Sequence, residues 1–130
     1  MKIVFLDAAT MGDVSFEPFE QLGEFVSYPT STPTEARERV KDADVVMINK
    51  VIVNKELIDA APSLKLICVA ATGVNNIDVD YAASKGIPVR NVAGYSTDSV
   101  AQSTFMHILS LAGGAPYFDN SVKSGSYSRS

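Results

Sequence analysis

Short apolar runs alternate with segments of helical spacing from one end of the sequence to the other. Ile3 to Leu6 is an unbroken apolar run of strand formers, the pattern of a strand covered on both faces. Phe16, Phe19 and Leu22 recur at helical spacing as the inward positions of a helix that Gly23 stops. Glu24 to Tyr28 predicts a second strand, more exposed and at a sheet edge. The next helix has the clearest start: Thr32 as N-cap, Pro33 in the first helical position and Glu35 completing a capping box. Ala36, Val40 and Ala43 form its inward stripe. Val45 to Ile48 predicts a third, buried strand, and Lys55 to Ala61 a short helix ended by Pro62.

Leu64 to Ala71 predicts a fourth strand, with Lys65 its single charge. Asp78 caps a helix running through Tyr81, Ala82 and Ala83 to Gly86, which suits the position just past a helix end. Ile87 to Val92 is a short fifth strand, with Pro88 near its start, where a missing donor is tolerated. From about Asp98 a longer helix carries Val100, Ala101, Thr104, Phe105, Ile108 and Leu109 on its apolar face, until Gly113, Gly114 and Pro116 break or bend it. Ser121 to Ser130 holds five serines and one aliphatic residue, Val122, and predicts a frayed tail rather than a core element.

Five strands with intervening helices imply an α/β fold, a flavodoxin-like doubly wound five-stranded parallel sheet. Such sheets bind ligands outside the carboxyl ends of their strands, where strand order reverses. That rule selects Asp7 to Thr10, the turn after Tyr28, Asn49 to Val51, Ala71 to Asn76 and Ala93 to Thr97.

The 130 residues suit one compact core, and 46% hydrophobic content with a net charge of −4 excludes disorder as the main state. Cys68 is the single cysteine, so an internal disulfide framework and a cysteine-rich zinc site are excluded, and its apolar neighbours predict a buried, inert thiol. The acidic balance argues against nucleic acid as a partner. No stretch approaches the roughly 18 apolar residues that span a bilayer, and Asp7 interrupts the first apolar run too early for a signal peptide. A soluble, cytoplasmic protein without a metal site is the expectation.

The richest candidate chemistry lies in Ala71-Thr72-Gly73-Val74-Asn75-Asn76-Ile77-Asp78. Gly73 allows close backbone approach to a ligand or a positive φ, and successive amides there can hold a carboxylate without a positive side chain. The same residues also read as a tight strand-to-helix turn with Asp78 as cap. Gly94 to Ser99 enters the long helix, where capping by Thr97 or Asp98 and contact with an anion are compatible. Lys50 follows a buried strand, placed to neutralise a bound acid or simply to be solvated. Asp7 would be a phosphoacceptor in a receiver domain, but that reading needs an acid where this chain has Asn49. A flavodoxin binding FMN would need a phosphate loop after the first strand, and Asp7-Ala8-Ala9-Thr10-Met11-Gly12 is a poor match. His107, the single histidine, reads as a helix-surface residue, and no G-x-G-x-x-G occurs.

These loops, with Ala82-Ala83, Lys85 to Val89 and Asn91 to Gln102, resemble the N-terminal part of the NAD-dependent D-2-hydroxyacid dehydrogenases over nearly the whole chain. Asn49-Lys50-Val51 and Val100-Ala101-Gln102 are most similar to the glycerate dehydrogenase, or hydroxypyruvate reductase, branch. The resemblance implies a flavodoxin-like substrate domain over residues 1–97 and, over 98–130, a crossover helix and tail leading toward a coenzyme domain. It implies that Lys50, Val51, Thr72, Gly73 and Val74 bind a small 2-hydroxy or 2-oxo acid, Gly73 and its neighbours through backbone amides. Tyr95, Ser96, Thr97 and Val100 fall where the family approaches the NAD nicotinamide. The family's dinucleotide fingerprint and its catalytic Arg, Glu and His have no counterparts here, and His107 is not in the place of that His. The expectation is therefore a severed substrate-binding lobe of an oxidoreductase, holding no cofactor and no catalytic residue of its own and inactive alone. The alternative is a stand-alone folding or binding module without catalysis. The apolar face of the 98–112 helix must be covered, by folding back on the sheet or by pairing or swapping with a second copy, which gives a homodimer.

Overall fold

A computed structural model describes residues 1–129, with the side chain of Arg129 left aside. Two compact units divide the chain, one spanning Met1–Ala93 and one from Gly94 onward.

The first unit is a five-stranded parallel sheet: β1 (Lys2–Phe5), β2 (Glu24–Ser27), β3 (Val45–Ile48), β4 (Leu66–Val69) and β5 (Val89–Asn91), in the order β2-β1-β3-β4-β5. Strand order reverses between β1 and β3, the flavodoxin-like arrangement. Successive strand residues point to opposite faces, and here both faces are apolar. Val4, Leu6, Val46, Ile48, Ile67 and Val69 pack on one side under α2 (Pro33–Arg39), α3 (Lys55–Asp59) and α4 (Val79–Ser84), through Ala36, Val40, Leu57, Ile58 and Ala82. Ile3, Phe5, Val45 and Met47 take the other side with Phe16, Phe19 and Phe25, beside the four-residue α1 (Glu17–Glu20). Phe16 meets Phe5 edge-on at 5.6 Å, and Phe19 stacks on Phe25 at 5.7 Å. Burial on both sides is why β1 and β3 read as continuous apolar runs rather than alternating ones.

The edge position of β2 follows its half-exposed pattern. The capping box of α2 forms in full: Glu35 N–H donates to Thr32 Oγ1, and the Glu35 carboxylate accepts from Thr32 N–H at 2.8 Å and Thr32 Oγ1 at 2.7 Å.

Two expectations need correction in this unit. Leu22 is not inward: α1 ends at Glu20, Phe16 caps it, and Leu22 is 60% exposed. The chain turns there because Gly23 brings its backbone against Met1, whose carbonyl accepts from Glu24 N–H at 3.0 Å, and a Cβ on Gly23 would stand 2.2 Å from that oxygen. Cys68 is half-buried, on the thinly covered second face; burial pushes its thiol up against a smaller opposing pull from Arg90. An up-shifted thiol carries less thiolate at neutral pH.

The second unit comprises α5 (Thr97–Ala112), a turn at Gly113 and Gly114, α6 (Ala115–Lys123) and a 3₁₀ turn over Tyr127–Arg129. Gly114 enters α6 with φ +63°, a conformation that suits glycine. Ser121 to Lys123 continue α6, so the serine-rich end is more ordered than its composition suggested. Val100, Phe105, Ile108 and Leu109 are all more than half exposed. Among the described residues no helix is long and apolar enough to cross a membrane.

Candidate functional site

The carboxyl ends of β1, β3 and β4 bring together three segments far apart in sequence. Asp7, just past β1, is 4% exposed and is the buried acid of the sheet. Its carboxylate accepts backbone N–H bonds from Asn49 at 2.8 Å, Lys50 at 2.5 Å and Val51 at 3.0 Å. The loop after β3 is thus a nest of successive amides, of the kind that binds anions, filled by an acid of the same chain. This is also the point where strand order reverses, so the crevice that such folds offer a ligand is here used for internal bracing. The Asp7 carboxylate is thus engaged within the chain and buried. Its role is invisible in local sequence because its partners lie 42 to 44 residues away.

One strand along, the loop after β4 is different. Thr72 and Gly73 are exposed and Val74 half-buried, and among the described residues the amides of Thr72, Gly73 and Val74 donate to no protein group. Their carbonyl sides are held instead. Thr72 O accepts from Asn91 Nδ2 at 2.6 Å, and Ala71 O accepts from Val92 N–H at 3.0 Å. Val74 packs on the main core, as does Val51 across the gap. The loop is therefore held while three adjacent donors are without a partner among the described residues. Gly73 does not take a positive φ, contrary to one of the two reasons offered for a glycine there, and a Cβ built on it meets nothing within 4 Å. Neither backbone conformation nor packing within the chain demands glycine at this position.

Asp78 caps α4 by accepting from Tyr81 N–H at 3.0 Å, so turn, cap and open amides coexist. Asn76 joins the two loops: its Nδ2 donates to Val51 O at 2.8 Å and to Asn49 O at 3.3 Å. The backbone continues the join, with Val53 N–H donating to Asn76 O and Asp78 N–H to Val53 O. Sequence reasoning passed over Asn76, as it did Asn54, which caps α3 by accepting from Leu57 N–H. For Asn54 the signal existed, an Asn directly before the helix.

Lys50 is exposed, and its ammonium makes no hydrogen bond or ion pair among the described residues. The two loops place Lys50, Val51, Thr72, Gly73 and Val74 along one rim. Tyr95, Ser96, Thr97 and Val100 belong to the second unit. There Ser96 is the N-cap of α5 without a side-chain bond, Thr97 is the first helical residue and Asp98 lies in the first turn. Neither Thr97 nor Asp98 caps α5 as expected, because Gly94, at φ +74°, delivers the chain through a turn in which Thr97 N–H donates to Gly94 O. His107 is exposed on α5, with its Nδ1 2.6 Å from Ser103 O. Among the described residues no cluster of His, Cys, Asp or Glu could hold a metal.

Residues 3–128 match the family model described as "D-isomer specific 2-hydroxyacid dehydrogenase, catalytic domain". The chain belongs to this family. A hydroxypyruvate reductase from Blautia hydrogenotrophica is 35% identical over 132 aligned positions, covering 98% of this chain and 41% of the relative. A glycerate dehydrogenase from Methylorubrum extorquens is 34% identical, covering 99% of this chain and again 41% of the relative. Among solved structures, the D-lactate dehydrogenase from Aquifex aeolicus, complexed with NAD and lactic acid, superposes with a TM-score of 0.72 at 29% identity, over 94% of this chain and 37% of that one. The chain spans about two fifths of the length of each of these three proteins. The α/β parallel sheet is the fold of the corresponding region in that solved structure.

Whether these residues could hold a dinucleotide is a question of fit. Dinucleotide sites use a glycine-rich strand-to-helix turn whose helix start meets the pyrophosphate. The sequence has no G-x-G-x-x-G, and the turn from β4 contains Gly73 as its one glycine, with Val74 to Asp78 still to run before α4. The turn after β4 therefore does not have the glycine pattern of such a cradle.

Proposed function

We propose that this chain is the substrate-binding lobe of an NAD-dependent D-2-hydroxyacid dehydrogenase of the glycerate dehydrogenase or hydroxypyruvate reductase type. Residues 1–97 form the lobe, and residues 98–130 lead toward a coenzyme-binding part. The amides of Thr72, Gly73 and Val74 receive the carboxylate of a small D-2-hydroxy or 2-oxo acid, Lys50 supplies the countercharge, and Val51 flanks the bound acid. Tyr95, Ser96, Thr97 and Val100 stand near the coenzyme in the complete enzyme. The observation that carries this reading is the contrast between two adjacent loops: the amides after β3 are saturated by Asp7, while those after β4 are open.

Hydride transfer needs a nicotinamide held against the substrate carbon and a proton donor. The rim offers amides and an ammonium but no acid–base pair, so the chain alone binds without reducing. In titrations of the isotope-labelled chain with D-glycerate, the amides of residues 72–74 shift, whereas the uncharged methyl ester leaves them in place. Equal shifts with acid and ester, or reduction of hydroxypyruvate by the pure chain with NADH, would overturn the reading. The protein acts in the cytoplasm, and a homodimer forms through the exposed apolar residues of the 98–112 helix. Sedimentation as a monomer at high concentration contradicts that association.

A further inference from the structure

The loop Asn49-Lys50-Val51 is held far more completely than an exposed three-residue loop usually is. Its three amides all donate to Asp7, and two of its three carbonyls, those of Asn49 and Val51, accept from Asn76 Nδ2. Two side chains, one just past β1 and one in the loop after β4, therefore fix five of the six backbone polar groups. Val51 is anchored in the core. What the loop presents to solvent is Lys50, whose ammonium has no partner among the described residues.

Fold stability alone does not call for the two Asn76 bonds. The segments on either side are already joined by backbone bonds, Val53 N–H to Asn76 O at 2.8 Å and Asp78 N–H to Val53 O at 2.9 Å, with Val53 and Ile77 paired as a short parallel bridge. Removing the Asn76 carboxamide leaves that bridge intact and returns two partly exposed carbonyls to water. The consequence of the carboxamide lies in geometry. It ties the carbonyls flanking Lys50 to the loop that bears Gly73, so the backbone from which the Lys50 side chain extends keeps a set place relative to the open amides. Groups placed before binding need less reorganisation when the ligand arrives.

We infer that Asn76 is a positioning residue, which with Asp7 holds Lys50 at a set distance from the Thr72–Val74 amides so that both act on one carboxylate. This rests on the reading of those amides as the carboxylate site.

The experiment is a double-mutant cycle on the labelled chain with D-glycerate as the probe. An exposed ion pair contributes little, so Lys50→Met weakens binding about 3- to 5-fold. Asn76→Ala weakens it by a similar factor, and the double variant binds no worse than either single one, because the lysine has already lost its place. In Asn76→Ala, amide exchange at Lys50 and Val51 speeds up at least tenfold while exchange in β4 stays unchanged, a local signature that general destabilisation does not give. Asp7→Asn, which keeps one acceptor oxygen, repeats the pattern from the other side of the loop and serves if Asn76→Ala does not fold. Losses that multiply, an Asn76→Ala chain that binds as tightly as the unsubstituted one, or a Lys50→Met chain without any loss, overturn the inference while the amide site stands. Absence of any shift at residues 72–74 in the unsubstituted chain overturns the carboxylate site and the inference with it.

Discussion

Gly73→Ala separates a glycine kept for a ligand from one kept for the fold. At Gly73 φ is not positive and the added methyl meets no atom within 4 Å. The folded state therefore accepts alanine without strain, while the unfolded chain loses conformational freedom, a stabilisation of about 0.4–1 kcal/mol. For a domain of this size that raises Tm by up to about 4–8 °C. Binding goes the other way. The methyl stands in the open space that carboxylate oxygens must enter to come within about 2.9 Å of the amide nitrogens. Displacing the acid from one charge-assisted hydrogen bond loses about 1.5–3 kcal/mol, and since each 1.4 kcal/mol is tenfold, D-glycerate affinity falls at least tenfold. Gly23→Ala is the opposite control: its methyl would stand 2.2 Å from Met1 O, so the sheet edge must move, at a cost of about 1–3 kcal/mol of the kind seen for overpacking. Calorimetric melting and an isotope-edited titration on both variants give the comparison. A Gly73→Ala chain that melts well below the parent, or that binds D-glycerate undiminished, would refute the reasoning.

Asp7→Ala leaves three loop amides without their acceptor and lowers unfolding free energy by at least about 3 kcal/mol in chemical denaturation, whereas Asp7→Asn, retaining one oxygen, loses visibly less. Thr32→Ala breaks the capping box of α2 and costs about 1 kcal/mol by the same assay; a change under a few tenths would show that the cap is dispensable. Acid stability has a defined sign. The Asp59 carboxyl is held below its ordinary 3.8 by the Tyr81 hydroxyl and then Lys85, and Asp44 below 3.8 by Lys65 and the Lys2 amide. Their contributions are present above that value and drain away as pH falls through the depressed values, so melting temperature is level near neutrality and declines below about pH 4. Asp59→Asn reduces the decline, and an unaltered acid limb would contradict the assignment.

Much of this architecture is legible where the signal is local. Thr32, Pro33 and Glu35 announce α2 because a cap is built from neighbours in sequence, and the apolar runs at Ile3 and Val45 announce central strands because both sheet faces are buried. The half-polar Glu24 to Tyr28 stretch gives away an edge. Leu22 misleads because a chain that must pass close to Met1 at Gly23 cannot continue one more helical turn. Thr97 and Asp98 look like caps, but a glycine turn makes Ser96 the N-cap, one residue before Thr97 and two before Asp98. In the site, composition suggests Gly73 and Lys50, whereas their surroundings depend on pairings across the sheet. Asp7 satisfies amides more than forty residues away, and Asn76 reaches carbonyls 25 and 27 residues distant. No periodicity records such bonds. They exist because parallel strands align their carboxyl ends.

The most direct measurement is a high-resolution structure of the chain with D-glycerate bound. The account predicts carboxylate oxygens about 2.7–3.2 Å from two or more of the backbone nitrogens of Thr72, Gly73 and Val74, with Asp7 still holding the loop after β3. A carboxylate seated anywhere else on the sheet, or those three nitrogens turned to water alone, would contradict it.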